Sequence, residues 1–382
     1  MQEIYFDNSA TTRVDKEAAD LAYSVMREDY GNPSSLHKKG MAAYKIQKNA
    51  RRQIAAFLGA EDEEIIFTAS GTEADNMALQ GVAEAYKKRG RHIITTAVEH
   101  PAVLNTCKIL REKGFEVTVL PVDKAGMISL ADLKSSLRDD TIIVSVMLVN
   151  NEVGAIQPID EIGKILQQRK KKVFFHVDAV QAFGKIPIKP KISGIDLLAA
   201  SGHKIHAPKG IGFLYLAKGT RIVPLLGGGG QEKNLRSGTE NMPALAAFGL
   251  AAEKARQNLN SNYEKVKKIR QTFLEGLADL PNWQINGSEN GLPHVLNICF
   301  KGVKSEVLLH TLETDGLYVS SGSACAAKKD TLSPVLSAMG LAREEIEGSL
   351  RFSFAADNTE EEAARAAEIV KKAVTELRKI LA

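Results

Sequence analysis

The chain has 382 residues, 44% hydrophobic and 25% charged, with a formal net charge of +4. That is the composition of a soluble globular protein, long enough for a large domain and a smaller one, and too near charge balance to identify a partner class. Three cysteines, Cys107, Cys299 and Cys325, lack CxxC or CxxH spacing, which argues against a disulfide framework and a zinc site, so no metal is expected.

No apolar run is long enough to cross a bilayer, and the N-terminus passes into Ile4-Tyr5-Phe6-Asp7 without a signal pattern. A reducing, cytoplasmic setting is expected, with no membrane or direct nucleic-acid partner. The basic runs Lys87-Lys88-Arg89 and Arg169-Lys170-Lys171-Lys172 read as solvated helix ends.

In chain order, 64–68 reads as a strand and 72–88 as a helix. Strand 92–98, helix 101–113, strand 115–122, helix 129–137, strand 141–149, helix 159–171 and strand 173–179 follow. Strands at 195–200 and 212–217 complete the set. Strands alternating with single helices predict right-handed crossovers and an α/β fold with a mainly parallel seven-stranded sheet. Ligands in such sheets sit beyond the carboxyl ends of the strands. Residues 227–242 begin with four glycines and read as an irregular loop. A long helical stretch, 243–280, leads into a smaller α+β unit with strands at 295–300 and 350–354. A final helix there is capped by Thr359-Glu360-Glu361-Glu362. The expected division is 14–258 for the large domain. Residues 1–13 and 259–382 form the small one, with a mobile cysteine loop at about 320–332.

Several polar residues fall at strand ends. Gly71 and Thr72 open a helix after a strand, where free N–H groups suit a phosphate; Thr72 is equally an ordinary N-cap. His100 follows strand 92–98 and could stack on a ring and move protons, or simply start a helix beside Pro101. Asn150-Asn151-Glu152 ends the most apolar strand, and a simple turn explains it as well. Asp178 and Gln181 leave strand 173–179 together, and a buried carboxylate is costly without a partner. Lys204 follows Ser201-Gly202-His203. A lysine and an aspartate at adjacent strand ends are what a pyridoxal phosphate (PLP) enzyme needs: an amine for the Schiff base and a carboxylate on the pyridine nitrogen. Arg351, between apolar neighbours, suits a bidentate carboxylate clamp or a structural ion pair. Cys325 sits among small residues in Ser320-Ser321-Gly322-Ser323-Ala324-Cys325 before Lys328 and Lys329, a setting that favours a reactive thiol. Cys107 and Cys299 lie within expected elements and read as structural.

Together and in order, these segments resemble the cysteine desulfurases, PLP enzymes of the aspartate-aminotransferase fold type. The resemblance runs through Tyr5-Phe6-Asp7-Asn8-Ser9-Ala10-Thr11-Thr12, Gly31-Asn32-Pro33-Ser34-Ser35, Gly71-Thr72-Glu73-Ala74-Asp75-Asn76, Glu99-His100, Val149-Asn150-Asn151-Glu152-Val153-Gly154, His176-Val177-Asp178-Ala179-Val180-Gln181, Ser201-Gly202-His203-Lys204 and Arg236-Ser237-Gly238-Thr239 to the Cys325 loop. That loop is similar to the NifS-like and IscS-like group.

The resemblance implies that Lys204 carries PLP, Asp178 pairs with the pyridine nitrogen, Gln181 with the phenolic oxygen, and His100 stacks over the ring. Gly71, Thr72, Ser201 and His203 would hold the phosphate. Thr239 would reach the neighbouring subunit's phosphate, which implies a homodimer. Asn151 and Arg351 would bind the substrate carboxylate. L-Cysteine would become L-alanine, with its sulfur passed to Cys325 as a persulfide; His100 or the substrate amine region would take the thiol proton. Iron–sulfur cluster assembly through a scaffold and tRNA thiolation are both open as destinations. The chain stops at Ala382, just after the last helix, without the longer tail of housekeeping IscS-like members. A selenocysteine lyase, another PLP aminotransferase-fold enzyme and a PLP-retaining adaptor are the competing readings.

Overall fold

The computed structural model describes residues 3–288, 290–322 and 332–381. Its strands, in chain order, are β1 (Ile4–Tyr5), β2 (Ile65–Thr68), β3 (His92–Thr96), β4 (Glu116–Leu120), β5 (Thr141–Ser145), β6 (Phe174–Asp178), β7 (Leu197–Ser201), β8 (Gly212–Leu216), β9 (Trp283–Asn286), β10 (Val295–Phe300), β11 (Leu317–Tyr318) and β12 (Ser349–Ser353). Seven of these form one sheet in the order β2-β8-β7-β6-β5-β3-β4. Only β8 runs against its neighbours. The mainly parallel seven-stranded sheet is therefore the observed one.

Period-two alternation explains its burial on both faces. Phe67, Ile94, Val144, Phe175, Leu198 and Phe213 enter one core. Their immediate neighbours Ile66, Ile93, Ile143, Phe174, Leu197 and Leu214 enter another, under the helix Gly71–Tyr86. The smaller α+β unit is present too. It carries the antiparallel sheet β12-β10-β9, with a core shared with the helices Leu259–Gly276, Ser305–Thr314 and Glu360–Leu381. The last helix opens on the expected capping box. Glu362 N–H donates to Thr359 Oγ1, and Thr359 N–H donates to Glu362 Oε2.

Two expectations are corrected, and two helices are added. The stretch 243–280 is two helices, Met242–Gln257 and Leu259–Gly276, broken where Asn258 leaves helical geometry at φ −107°, ψ 16°. The strand expected over 141–149 ends at Ser145, although Val146 and Leu148 N–H still donate to the β6 carbonyls of His176 and Asp178, before Val149 bridges back to Ile156. Helices Lys16–Arg27 and Lys38–Leu58 were not expected. They dock on Met242–Gln257 mainly through alanines, among them Ala18, Ala43 and Ala247. Gly249 permits this close crossing, since a Cβ there would lie 2.6 Å from Ala50 Cα.

Candidate active site

The parallel strands deliver their polar C-terminal residues to one cleft of about 260 Å³. Gly71, Thr72, His100, Asn151, Asp178, Gln181, Ser201, His203, Lys204 and Arg351 all line it. Thr239 does not; it is exposed in the loop that follows the glycine run. Cys325 lies outside the described residues.

Lys204 ends a single 3-10 turn, Gly202–Lys204, directly after β7. Its Nζ donates to the carbonyls of Ser9 (2.5 Å) and Ala10 (2.7 Å). Opposite it, Asp178 closes β6 and is buried. Asp178 Oδ1 accepts from Val180 N–H at 2.9 Å. Burial pushes its carboxyl above the usual range, while His100, the Val180 N–H and Lys204 pull it partly back.

His100 is the N-cap of Pro101–Glu112. Its Nδ1 accepts from Ala102 N–H at 3.1 Å, which leaves the proton on Nε2. The capping and functional readings of this residue are thus compatible. Burial lowers its pKa first; Asp178 opposes that and Lys204 adds to it.

At the other end, the N-cap of Gly71–Tyr86 is Ser70, not Thr72. Ser70 Oγ accepts from Glu73 N–H, and its carbonyl accepts from Ala74 N–H. The N–H groups of Gly71 and Thr72 are left at the helix start, where anions bind. Gly71 lets the turn sit against the segment that follows β6, since a Cβ there would meet Val180 at 2.6 Å. His203 Nδ1 lies 3.2 Å from Thr11 Oγ1; burial and then Lys204 bring its pKa down to about 4.

Gln181 Nε2 donates to Ser9 O at 3.0 Å, and its Oε1 accepts from Lys185 Nζ at 3.0 Å. Arg351 on β12 is buried. It donates through Nη2 to Asp7 Oδ1 (2.8 Å) and through Nη1 to Asn151 O (3.1 Å). The structural ion pair considered for Arg351 therefore exists, and the guanidinium still lines the cleft.

Sequence reasoning assigned no role to the residues that steady this set. Asp7 holds Arg351, and the Ser9 and Ala10 carbonyls hold Lys204. Asp75 lines the cleft from inside the helix, buried near Asp178 and Glu99, and burial raises its carboxyl well above the ordinary value. Glu99 Oε1 accepts from Thr96 Oγ1 and Met147 N–H, and burial raises this carboxyl to about 8. An aspartate on the apolar side of a helix was the available signal for Asp75.

The sequence pattern of the aminotransferase class-V family matches residues 4–365. The chain is 46% identical over 376 residues to a cysteine desulfurase IscS of Methanosarcina thermophila, covering 98% of this chain and 93% of that protein. It is equally 46% identical over 380 residues to a putative cysteine desulfurase IscS 1 of Bacillus subtilis, covering 99% and 100%. Among solved structures, a NifS-like protein superposes with a TM-score of 0.93 at 39% identity, covering 98% of this chain and 100% of the other. A structure described as SspA in complex with cysteine gives 0.83 at 34% identity, covering 93% and 99%. The chain belongs to the class-V aminotransferase family and, within it, to the IscS/NifS-like cysteine desulfurases.

Proposed function

We propose that this chain binds PLP in the cleft at Lys204 and converts L-cysteine to L-alanine, passing the sulfur to Cys325. One observation carries the reading: an amine, a buried carboxylate, a capped imidazole, a helix N-terminus and a guanidinium converge on one cleft. The donor set fits the coenzyme. Burial raises the Asp178 carboxyl, and its charge in turn raises those of Asp75 and Glu99, so a protonated ring nitrogen is the partner that would keep Asp178 charged.

Lys204, Asp178, Gln181 and His100 hold the ring end. Gly71, Thr72, Ser201 and His203 hold the phosphate. When bound, the coenzyme supplies an electron sink for the substrate α-carbon.

Arg351 and Asn151 orient the substrate carboxylate. The Lys204 amine takes the α-proton and later returns a proton to carbon. The Cys325 thiolate attacks the substrate sulfur. A sulfur–sulfur bond forms, the carbon–sulfur bond breaks, and its electron pair goes to carbon, which gains a proton to become the alanine methyl. The substrate amine region takes the proton lost by Cys325, since His100 Nδ1 accepts from Ala102 N–H and its Nε2 already carries a proton.

Thr239, exposed in its own chain, reaches the phosphate site of a second copy. Tyr23, Met26 and Tyr44, exposed on neighbouring helices, and Tyr30 in the link between them supply apolar surface for that homodimer. Residues 14–258 act as the coenzyme domain, and 1–13 with 259–382 as the domain carrying the cysteine loop. Cys107 and Cys299, both buried free thiols, suit a reducing cytoplasm. The sulfur then goes to an acceptor protein for iron–sulfur assembly or tRNA thiolation.

Turnover with L-cysteine tests the reading. Alanine and transferable sulfur are expected in equal amounts. Cys325→Ala is expected to abolish sulfide release while the coenzyme stays bound; wild-type turnover by that variant would sink the relay.

A further inference from the structure

Lys185 has no place in the reaction as described, yet it is buried beside the cleft at 8% exposure. The backbone turns helically after β6, with Lys185 N–H donating to Ala182 O and Phe183 N–H to Ala179 O. This sets Lys185 one turn beyond Gln181, where Nζ meets Oε1 at 3.0 Å. The charged groups that act on it are Lys204 and Arg351, both of its own sign, and it in turn bears on His203 and His294. None is an acid, so a lysine here is costly unless its hydrogen bond has a use.

The bond to Gln181 has a directional consequence. In its ammonium form the lysine nitrogen can only donate, so it selects Gln181 Oε1; the Ser9 carbonyl accepts, so it selects Nε2. Both neighbours agree on one amide orientation. One Nε2–H goes to Ser9, and the second is what the amide offers to the cleft it lines. Donation into Oε1 also polarises the amide and strengthens that N–H.

We infer that Lys185 is a positioning residue: by donating to Gln181 Oε1 it holds the amide with its N–H side toward the Lys204 cleft, so that Gln181 meets the phenolic oxygen of the coenzyme as a donor. The inference rests on the PLP reading of the cleft. A donor draws negative charge away from that oxygen. Without it, the nitrogen contributed by Lys204 keeps its proton to higher pH.

The test is a pH titration of the coenzyme absorbance in the holoenzyme, for wild type, Lys185→Met, Gln181→Leu and the double variant. Lys185→Met and Gln181→Leu should each raise the midpoint by about 0.5 to 1 unit, the shift that a hydrogen bond to a charged oxygen commands. The double variant should match Gln181→Leu. Lys185→Arg, with a cavity of about 150 Å³ beside it, should stay near wild type. Lys185→Leu repeats the measurement if Lys185→Met does not accumulate.

Lys185 variants at the wild-type midpoint, beside a shifted Gln181→Leu, overturn the inference and leave the coenzyme site standing. A Lys185→Met shift that persists in the Gln181→Leu background also overturns it, because the lysine charge would then act directly. A wild-type protein that stays colourless with PLP overturns both the inference and the site.

Discussion

Arg351 and Asp7 form a part-buried ion pair across 344 residues of chain, with Nη2 donating to Oδ1 at 2.8 Å. The same guanidinium donates to the Asn151 carbonyl, and its Nε has no acceptor among the described residues. Arg351 is therefore fixed by two segments at the wall of the cleft. Lysine has neither the fork nor the reach to serve both roles.

Arg351→Lys should raise KM for L-cysteine roughly 10- to 100-fold, the effect of losing a charge-assisted hydrogen bond, with a smaller fall in kcat. Steady-state alanine production over a range of L-cysteine concentrations checks this. An unchanged KM would remove Arg351 from substrate binding.

His100 combines two roles that substitution can separate. Asn caps helices well, so His100→Asn should hold stability near wild type, whereas His100→Ala should lose about 1 kcal/mol. Both should lose about 100-fold or more in kcat if the ring handles protons. Thermal unfolding and turnover of the two variants give the comparison; an active His100→Asn would reduce the residue to a cap.

Lys185 gives stability a pH slope. Burial, then Lys204 and Arg351, lower its pKa from the ordinary 10.5 to about 7. Between those values the unfolded chain holds a proton that the folded protein does not. Stability therefore rises as pH climbs through this window and is level below about pH 7. Lys185→Met should lack that slope and be about 1 to 3 kcal/mol more stable near pH 7, an advantage that fades toward pH 10. Denaturant unfolding at several pH values measures it. An unchanged slope would mean that Lys185 is not the buried titrating group.

The large sheet was legible because each strand is short, apolar and followed by a helical pattern. Asp178, Lys204 and His100 stood out as polar residues ending such runs. The helices Lys16–Arg27 and Lys38–Leu58 went unread: the faces they turn to Met242–Gln257 are mostly alanine, although Lys38–Leu58 also buries Ile54, Phe57 and Leu58 in the large core. Strands β1 and β11 have two residues each, too few to show a period. The Asp7–Arg351 pair and the Ser9 carbonyl under Lys204 arise only when distant segments meet. The Lys185–Gln181 bond is local, but its meaning depends on which face of the turn lines the cleft.

Mass spectrometry of the purified protein after exposure to L-cysteine tests the central claim most directly. The peptide containing Cys325 should gain one sulfur atom in the wild type and none in Lys204→Ala, while Cys107 and Cys299, both buried, stay unmodified. Alanine formation with Cys325 unmodified, or sulfur gained by Lys204→Ala, would contradict it.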